Sequence, residues 1–215
     1  MKALIVVDAQ YDFMPVPESD YENGQGGALA VTNGNQIVPV INELLPKFDL
    51  VIFTKDWHPA KMEAFASYHE DKKPFDTYVN SKGVEDTLWP DHCVANTRGA
   101  DLHDDIDFGL IRGDFYIFKK GMKEKDHPYS GFGAERLAEF LKERNVHQLF
   151  VVGLALDYCV KDTMIDSIKE GFETILVLDG TRAISEEGAK ETKEEFLTIG
   201  GKIIESWELP LFNLM

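Results

Sequence analysis

Short apolar runs, mostly β-branched or aromatic, recur along the chain at 3–7 (ALIVV), 50–53 (LVIF), 115–118 (FYIF), 148–153 (QLFVVG), 174–178 (TILVL) and 202–204. Unbroken runs of this length predict strands buried on both faces, as in a parallel sheet. Helical spacing fills 35–45, 132–144, 158–170 and 186–199, and Gly171 and Gly200 stand where a left-handed cap would end two of these helices. Strands alternating with helices predict an α/β chain, a three-layer α/β/α arrangement around a doubly wound, mainly parallel sheet of six strands. The stretch 54–114 breaks the rhythm, being rich in Pro, Gly, Asp and His. Long irregular segments inside a domain are uncommon and often functional, so residues 1–215 read as one domain with a site-building insertion at about 54–114.

Composition narrows the partners. With 38 acidic and 22 basic side chains the net charge is −16, which repels nucleic acid and anionic membranes. Two cysteines, Cys93 and Cys159, are too few for a disulfide framework and suit a reducing compartment. The apolar start is interrupted by Asp8 before it reaches signal-peptide length, and no later run approaches the roughly 18 apolar residues of a membrane span. These features predict a cytoplasmic protein, and they leave homo-oligomerisation open.

In open parallel sheets ligands bind outside the carboxyl ends of the strands. Asp8 follows the first run, Asp56 and His58 the second, Lys119 and Lys120 the third, and Cys159 the fourth at the start of a helix. Cys159 is the candidate nucleophile, since a helix N-terminus and a lysine both favour the thiolate; most free cysteines are simply small buried hydrophobes, the role we give Cys93. Asp8 suits a general base, and a lysine beside it would stabilise the thiolate, although each alone is equally at home capping a turn or facing solvent. Asp56-Trp57-His58 places a carboxylate and an imidazole on one side of an extended backbone, a start for a zinc, iron or manganese site. A third ligand is best sought at His92, with His69 and His103 next; His127 and His147 read as surface residues.

Taken in order, IVVDAQYDF (5–13), TKDWHP (54–59), LWPDHCVANTRGADLH (88–103), KKGM (119–122), YSGF (129–132) and VVGLALDYCV (151–160) resemble the nicotinamidase and pyrazinamidase branch of the isochorismatase-like hydrolases. That resemblance implies a catalytic triad of Asp8, Lys120 and Cys159, Lys120 being chosen over Lys119 because it precedes Gly121. It implies one divalent metal ion on Asp56, His58 and His92, with Zn2+ the expected ion and Fe2+ or Mn2+ the alternatives. It implies an oxyanion hole from the N–H groups of Ala155 and Cys159 beside a cis Leu154–Ala155 peptide, and a substrate pocket of Phe13, Trp89, Tyr129 and Leu154. The implied reaction converts nicotinamide, and pyrazinamide with it, to the acid and ammonia. Bacterial relatives often continue DWHP with Ala-Asn-His, whereas here Lys61, Met62 and Glu63 follow Ala60. Glu63 is the substitute that position offers, though a solvated glutamate is its ordinary role.

Two rivals frame this reading. A metal-free isochorismatase-like amidase would not need Asp56, His58 and His92 together. A nucleotide-binding α/β module without hydrolytic activity would carry Gly-x-Gly-x-x-Gly after the first strand, where this chain has Asp8-Ala9-Gln10-Tyr11-Asp12.

Overall fold

The six apolar runs form one sheet. In a computed structural model, which describes residues 1–209, they are β1 (Lys2–Val7), β2 (Leu50–Asp56), β5 (Asp114–Lys120), β6 (Gln148–Leu154), β7 (Glu173–Arg182) and β8 (Lys202–Ile204). Their order is β5-β2-β1-β6-β7-β8 and every pairing is parallel. The predicted helices appear as α2 (Ile37–Leu44), α3 (Leu137–Glu143), α4 (Lys161–Lys169) and α5 (Glu186–Thr198), and a short α1 (Glu18–Glu22) lies in a stretch without periodicity.

Period-two alternation sorts the strand residues between two cores. Leu4, Val6, Val51, Phe53, Phe150 and Val152 face α2 through Ile37, Ile41 and Leu44. Ala3, Ile5, Val7, Leu50, Ile52 and Val151 face α3, α4 and α5 through Leu141, Met164 and Phe196. Gly171 and Gly200 have φ of +93° and +96°, the cap geometry expected of them. The FYIF run departs from expectation. It lies in the edge strand β5, where Phe115 is 43% and Ile117 46% exposed, so one face of that strand is half open rather than buried. Among the described residues no helix is long and apolar enough to cross a membrane.

Winding reverses at β1. The chain passes from β1 outward to β2 and β5, then returns to place β6 on the other side of β1. A crevice opens at the carboxyl ends where the order reverses, and Asp8 and Cys159 follow the two strands that flank it. The irregular insertion holds one small hairpin, β3 (Thr77–Val79) with β4 (Glu85–Thr87), and folds over this edge. Isolated bridges brace it internally, His58 with Val94 and Phe65 with Trp89, and Gln10 with Leu102 ties it to the segment after β1.

Candidate active site

Lys120 ends β5 in register with Asp56 at the end of β2. Its ammonium lies 2.5 Å from Asp56 Oδ1, 3.0 Å from Asp8 Oδ2 and 3.7 Å from Cys159 Sγ. All four residues are buried. The neighbouring Lys119 points elsewhere, its Nζ 3.7 Å from the Trp57 ring centroid, as strand alternation requires. Asp8 sits at φ +45°, a left-handed conformation in which aspartate is tolerated. Thr54 donates its hydroxyl to Asp8 Oδ1 at 2.7 Å. Gln10 brackets the Asp56 backbone, donating from Nε2 to its carbonyl and accepting its N–H, both at 2.8 Å.

Charge within this group follows from burial against one shared cation. Desolvation opposes the Lys120 ammonium, but Asp56 and Asp8 outweigh it and hold its pKa well above the ordinary value. Burial acts to raise the Asp56 carboxyl, yet Lys120 and His58 hold it well below the usual range. Burial raises Asp8, with Lys120 opposing. Burial also pushes the Cys159 thiol well up, and the carboxylates of Asp8 and Asp56 add to this against the pull of Lys120. The sequence predicted a thiolate favoured by lysine and helix. In the folded chain burial comes first and pushes the thiol up, and the pull of Lys120 towards the thiolate is opposed by the two carboxylates that share its charge.

Cys159 belongs to a π-helical turn, Leu156–Val160, that leads into α4. The Leu154–Ala155 peptide before it is cis. Thr163 accepts the Gly131 N–H at 2.8 Å and donates to the Cys159 carbonyl at 2.6 Å, which fastens the YSGF segment to this turn.

Beside the triad, one donor atom each from Asp56, His58, His92 and His127 lies within 4.8 Å of the others. His58 Nδ1 bonds the Gly121 carbonyl at 2.9 Å and His92 Nδ1 the Pro90 carbonyl at 2.8 Å. A ring nitrogen facing a carbonyl carries the proton, so in each ring Nε2 is the nitrogen left to meet a ligand. His58 Nε2 is buried and has no hydrogen-bond partner. Burial, followed by the nearness of His58, lowers the His92 pKa to about 4, so this imidazole is neutral at neutral pH. An unpartnered buried Nε2 on His58, a neutral His92 imidazole and a carboxylate held in its charged form fit a divalent metal ion.

The sequence reading differs here at His127, and the alternative ligands it offered lie outside the cluster. His127, read as a surface residue, lies in this cluster with its ring centroid 5.0 Å from that of His58. His69 and His103 lie apart from it, His69 bonding the Glu63 carbonyl and His103 stacking on Tyr11. The Glu63 carboxylate accepts from Ser81 and takes no part in the cluster.

A cavity opens over both groups, lined by Phe13, Trp89, Tyr129, Tyr158, Ala155 and Cys159 with Asp56, His92 and His127 along its wall. Trp89 Nε1 donates to the Tyr129 hydroxyl at 2.9 Å, and that hydroxyl donates to Asp86 at 3.0 Å. Leu154, expected in the pocket, is fully buried within the core and is not among the lining residues. The sequence reading passed over Tyr158, Thr54 and Gln10. Residues of these types have no spacing signal of their own, although Gln10 stands inside the IVVDAQYDF motif.

The chain belongs to the isochorismatase family, whose isochorismatase domain matches residues 2–207. A nicotinamidase of Acinetobacter baylyi is 39% identical over 211 residues, covering 95% of this chain and 92% of that protein. The structure of a yeast nicotinamidase bound to the inhibitor nicotinaldehyde superposes with a TM-score of 0.83 at 31% identity, covering 95% of this chain and all of that one (100%). A pyrazinamidase of Pyrococcus horikoshii in complex with zinc gives a TM-score of 0.76 at 34% identity, covering 95% and 98%.

Proposed function

We propose that this protein hydrolyses nicotinamide to nicotinate and ammonia, with Cys159 as nucleophile, Asp8 as proton carrier and Lys120 as the cation that positions both. The observation that carries this reading is the convergence of Cys159, Asp8 and Lys120 at the edge of a cavity lined by aromatic rings and walled by Asp56 and two histidines. The nicotinamidases among its relatives supply the substrate class.

Each residue has a step. The Cys159 thiol gives its proton to Asp8 as Sγ attacks the carboxamide carbon. The Ala155 and Cys159 N–H groups receive the oxygen that becomes negative, a role whose loss typically costs about a hundredfold to a thousandfold in rate. As the tetrahedral adduct collapses, the C–N bond breaks and Asp8 passes the proton to the departing nitrogen, which leaves as ammonia. A water then gives a proton to Asp8 and attacks the thioester, and the proton returns to Cys159 sulfur as nicotinate leaves. Lys120 holds Asp8 and Cys159 in place throughout. Phe13, Trp89, Tyr129 and Tyr158 enclose the ring. A divalent ion on Asp56, His58 and His92 would supply a Lewis-acid anchor for the pyridine nitrogen, and one carboxylate with imidazoles suits Zn2+, with Fe2+ or Mn2+ also compatible.

Purified protein given nicotinamide should release ammonia and nicotinate in equal amounts. Dialysis against a chelator should abolish the activity and Zn2+ should restore it. Activity untouched by complete metal removal would instead assign the protein to the metal-free amidases.

The glycine after Lys120 has a role of its own. Gly121 adopts φ +64°, and a Cβ there would lie 2.4 Å from His58 Cε1 and 2.5 Å from Nδ1. Gly121→Ala should therefore displace the imidazole that the Gly121 carbonyl orients. Metal affinity should fall at least about tenfold, the scale of losing a group that orients a ligand, with the circular dichroism spectrum unchanged. Elemental analysis after gel filtration reads the result; wild-type metal content in the variant would refute it.

A further inference from the structure

The geometry points to His127 as a fourth protein ligand of the metal ion, supplied by the loop between β5 and α3 rather than by the segment that follows Asp56-Trp57-His58. The inference rests on the metal site proposed above and extends it to a residue whose sequence context reads as surface.

Four observations converge. A donor atom of His127 lies within 4.8 Å of those of Asp56, His58 and His92. Its Nδ1 is shielded from solvent and has no hydrogen-bond partner, and His58 Nε2 is orphaned in the same way. A buried ring nitrogen without a partner is costly, and a cation held between these two rings, 5.0 Å apart at their centroids, would satisfy both. The ring is enclosed by its neighbours, with centroids 5.0 Å from His58, 6.1 Å from His92 and 4.9 Å from Tyr129.

The loop that carries the ring is anchored on both sides. Lys120 donates to the Pro128 carbonyl at 3.3 Å, and Lys82 of the hairpin loop pairs with Asp126 at 2.7 Å. Gly133 lies so close to Pro128 that a Cβ would sit 2.3 Å from the proline ring. The Tyr129 hydroxyl is held between Trp89 and Asp86. His127 is thus the end of a braced loop aimed at the cluster. On the segment after His58, Met62 is buried among Ala64, Phe65 and Trp89 and Glu63 is engaged by Ser81, so neither offers a ligand. Four protein donors with a substrate nitrogen require five- or six-coordination, which Fe2+ and Mn2+ accept readily and Zn2+ reaches by expansion.

The test compares wild type with His127→Ala and His127→Phe, the latter keeping a ring in the packed position without a nitrogen donor. Apo protein is titrated with Zn2+ in competition with a chromophoric chelator, and the visible spectrum of the Co2+ form is recorded for each. We expect both variants to bind Zn2+ at least about tenfold more weakly, since even residues that only orient ligands contribute ten- to hundredfold. The Co2+ bands should shift in both. Wild-type affinity and an unchanged Co2+ spectrum in His127→Phe would overturn the inference while leaving the three-ligand site intact. Wild type that binds no metal would overturn the metal site itself, so the two failures are distinguishable.

Discussion

Cys159→Ala should lower ammonia release from nicotinamide by about 10⁴- to 10⁶-fold, the scale on which hydrolases lose turnover when the nucleophile is deleted. That corresponds to roughly 5 to 8 kcal/mol of barrier. The fold should survive, because the substitution trims one atom beside the cavity rather than opening the core, and a change in stability within about 1 kcal/mol is expected. The sulfur also contributes no ligand to the Asp56-His58-His92 cluster, so metal content should stay at the wild-type level. Loss of activity with metal retained separates a chemical role for the thiol from damage to the site. Residual activity within tenfold of wild type would remove Cys159 from the mechanism and leave a metal-activated water as the nucleophile.

Lys120→Met should be the most destabilising single change in the site. The side chain is shorter by one atom, and the Asp8 and Asp56 carboxylates lose the ammonium they share while remaining buried. Removing one partner of a buried ion pair costs about 3 to 5 kcal/mol, and urea denaturation at pH 7 in chelator should show it. The loss should depend on pH with a defined sign. Without the ammonium, the carboxyl pKa values in the folded state rise above their unfolded values near 4. The penalty is therefore absent below pH 4 and grows as pH rises towards the raised folded values. A variant as stable as wild type at pH 7 would mean that the carboxylates already share a proton in the parent protein. Metal should restore part of the stability by neutralising Asp56, which a titration of the urea midpoint with Zn2+ will read.

The strands and the gathering of the candidate site residues were legible in the sequence for the same reason. An all-parallel sheet demands unbroken apolar runs, and the residue that breaks each run stands at its carboxyl end. Asp8 is such a residue, and Asp56, Lys120 and Cys159 follow their runs within a few positions, so counting along the chain places them at one edge. His58 and His92 came from short motifs with fixed local geometry. His127 was not legible. A histidine among Lys123, Glu124, Lys125 and Asp126 has the composition of a solvated loop, and its environment is set by the ends of β2 and β5 and the insertion meeting in space.

Local patterning alone therefore specifies the layers, the alternation of the two cores and the edge on which chemistry collects, because period and run length are properties of neighbouring residues. The strand order, with β5 at an open edge and the winding reversal beside β1, depends on long-range pairing and emerges only in the folded chain. So does the environment of Cys159, which is set first by burial and then by the lysine and the carboxylates around it. Electrostatics in a buried site is a sum over groups brought together from four strands, and no segment of the sequence contains that sum.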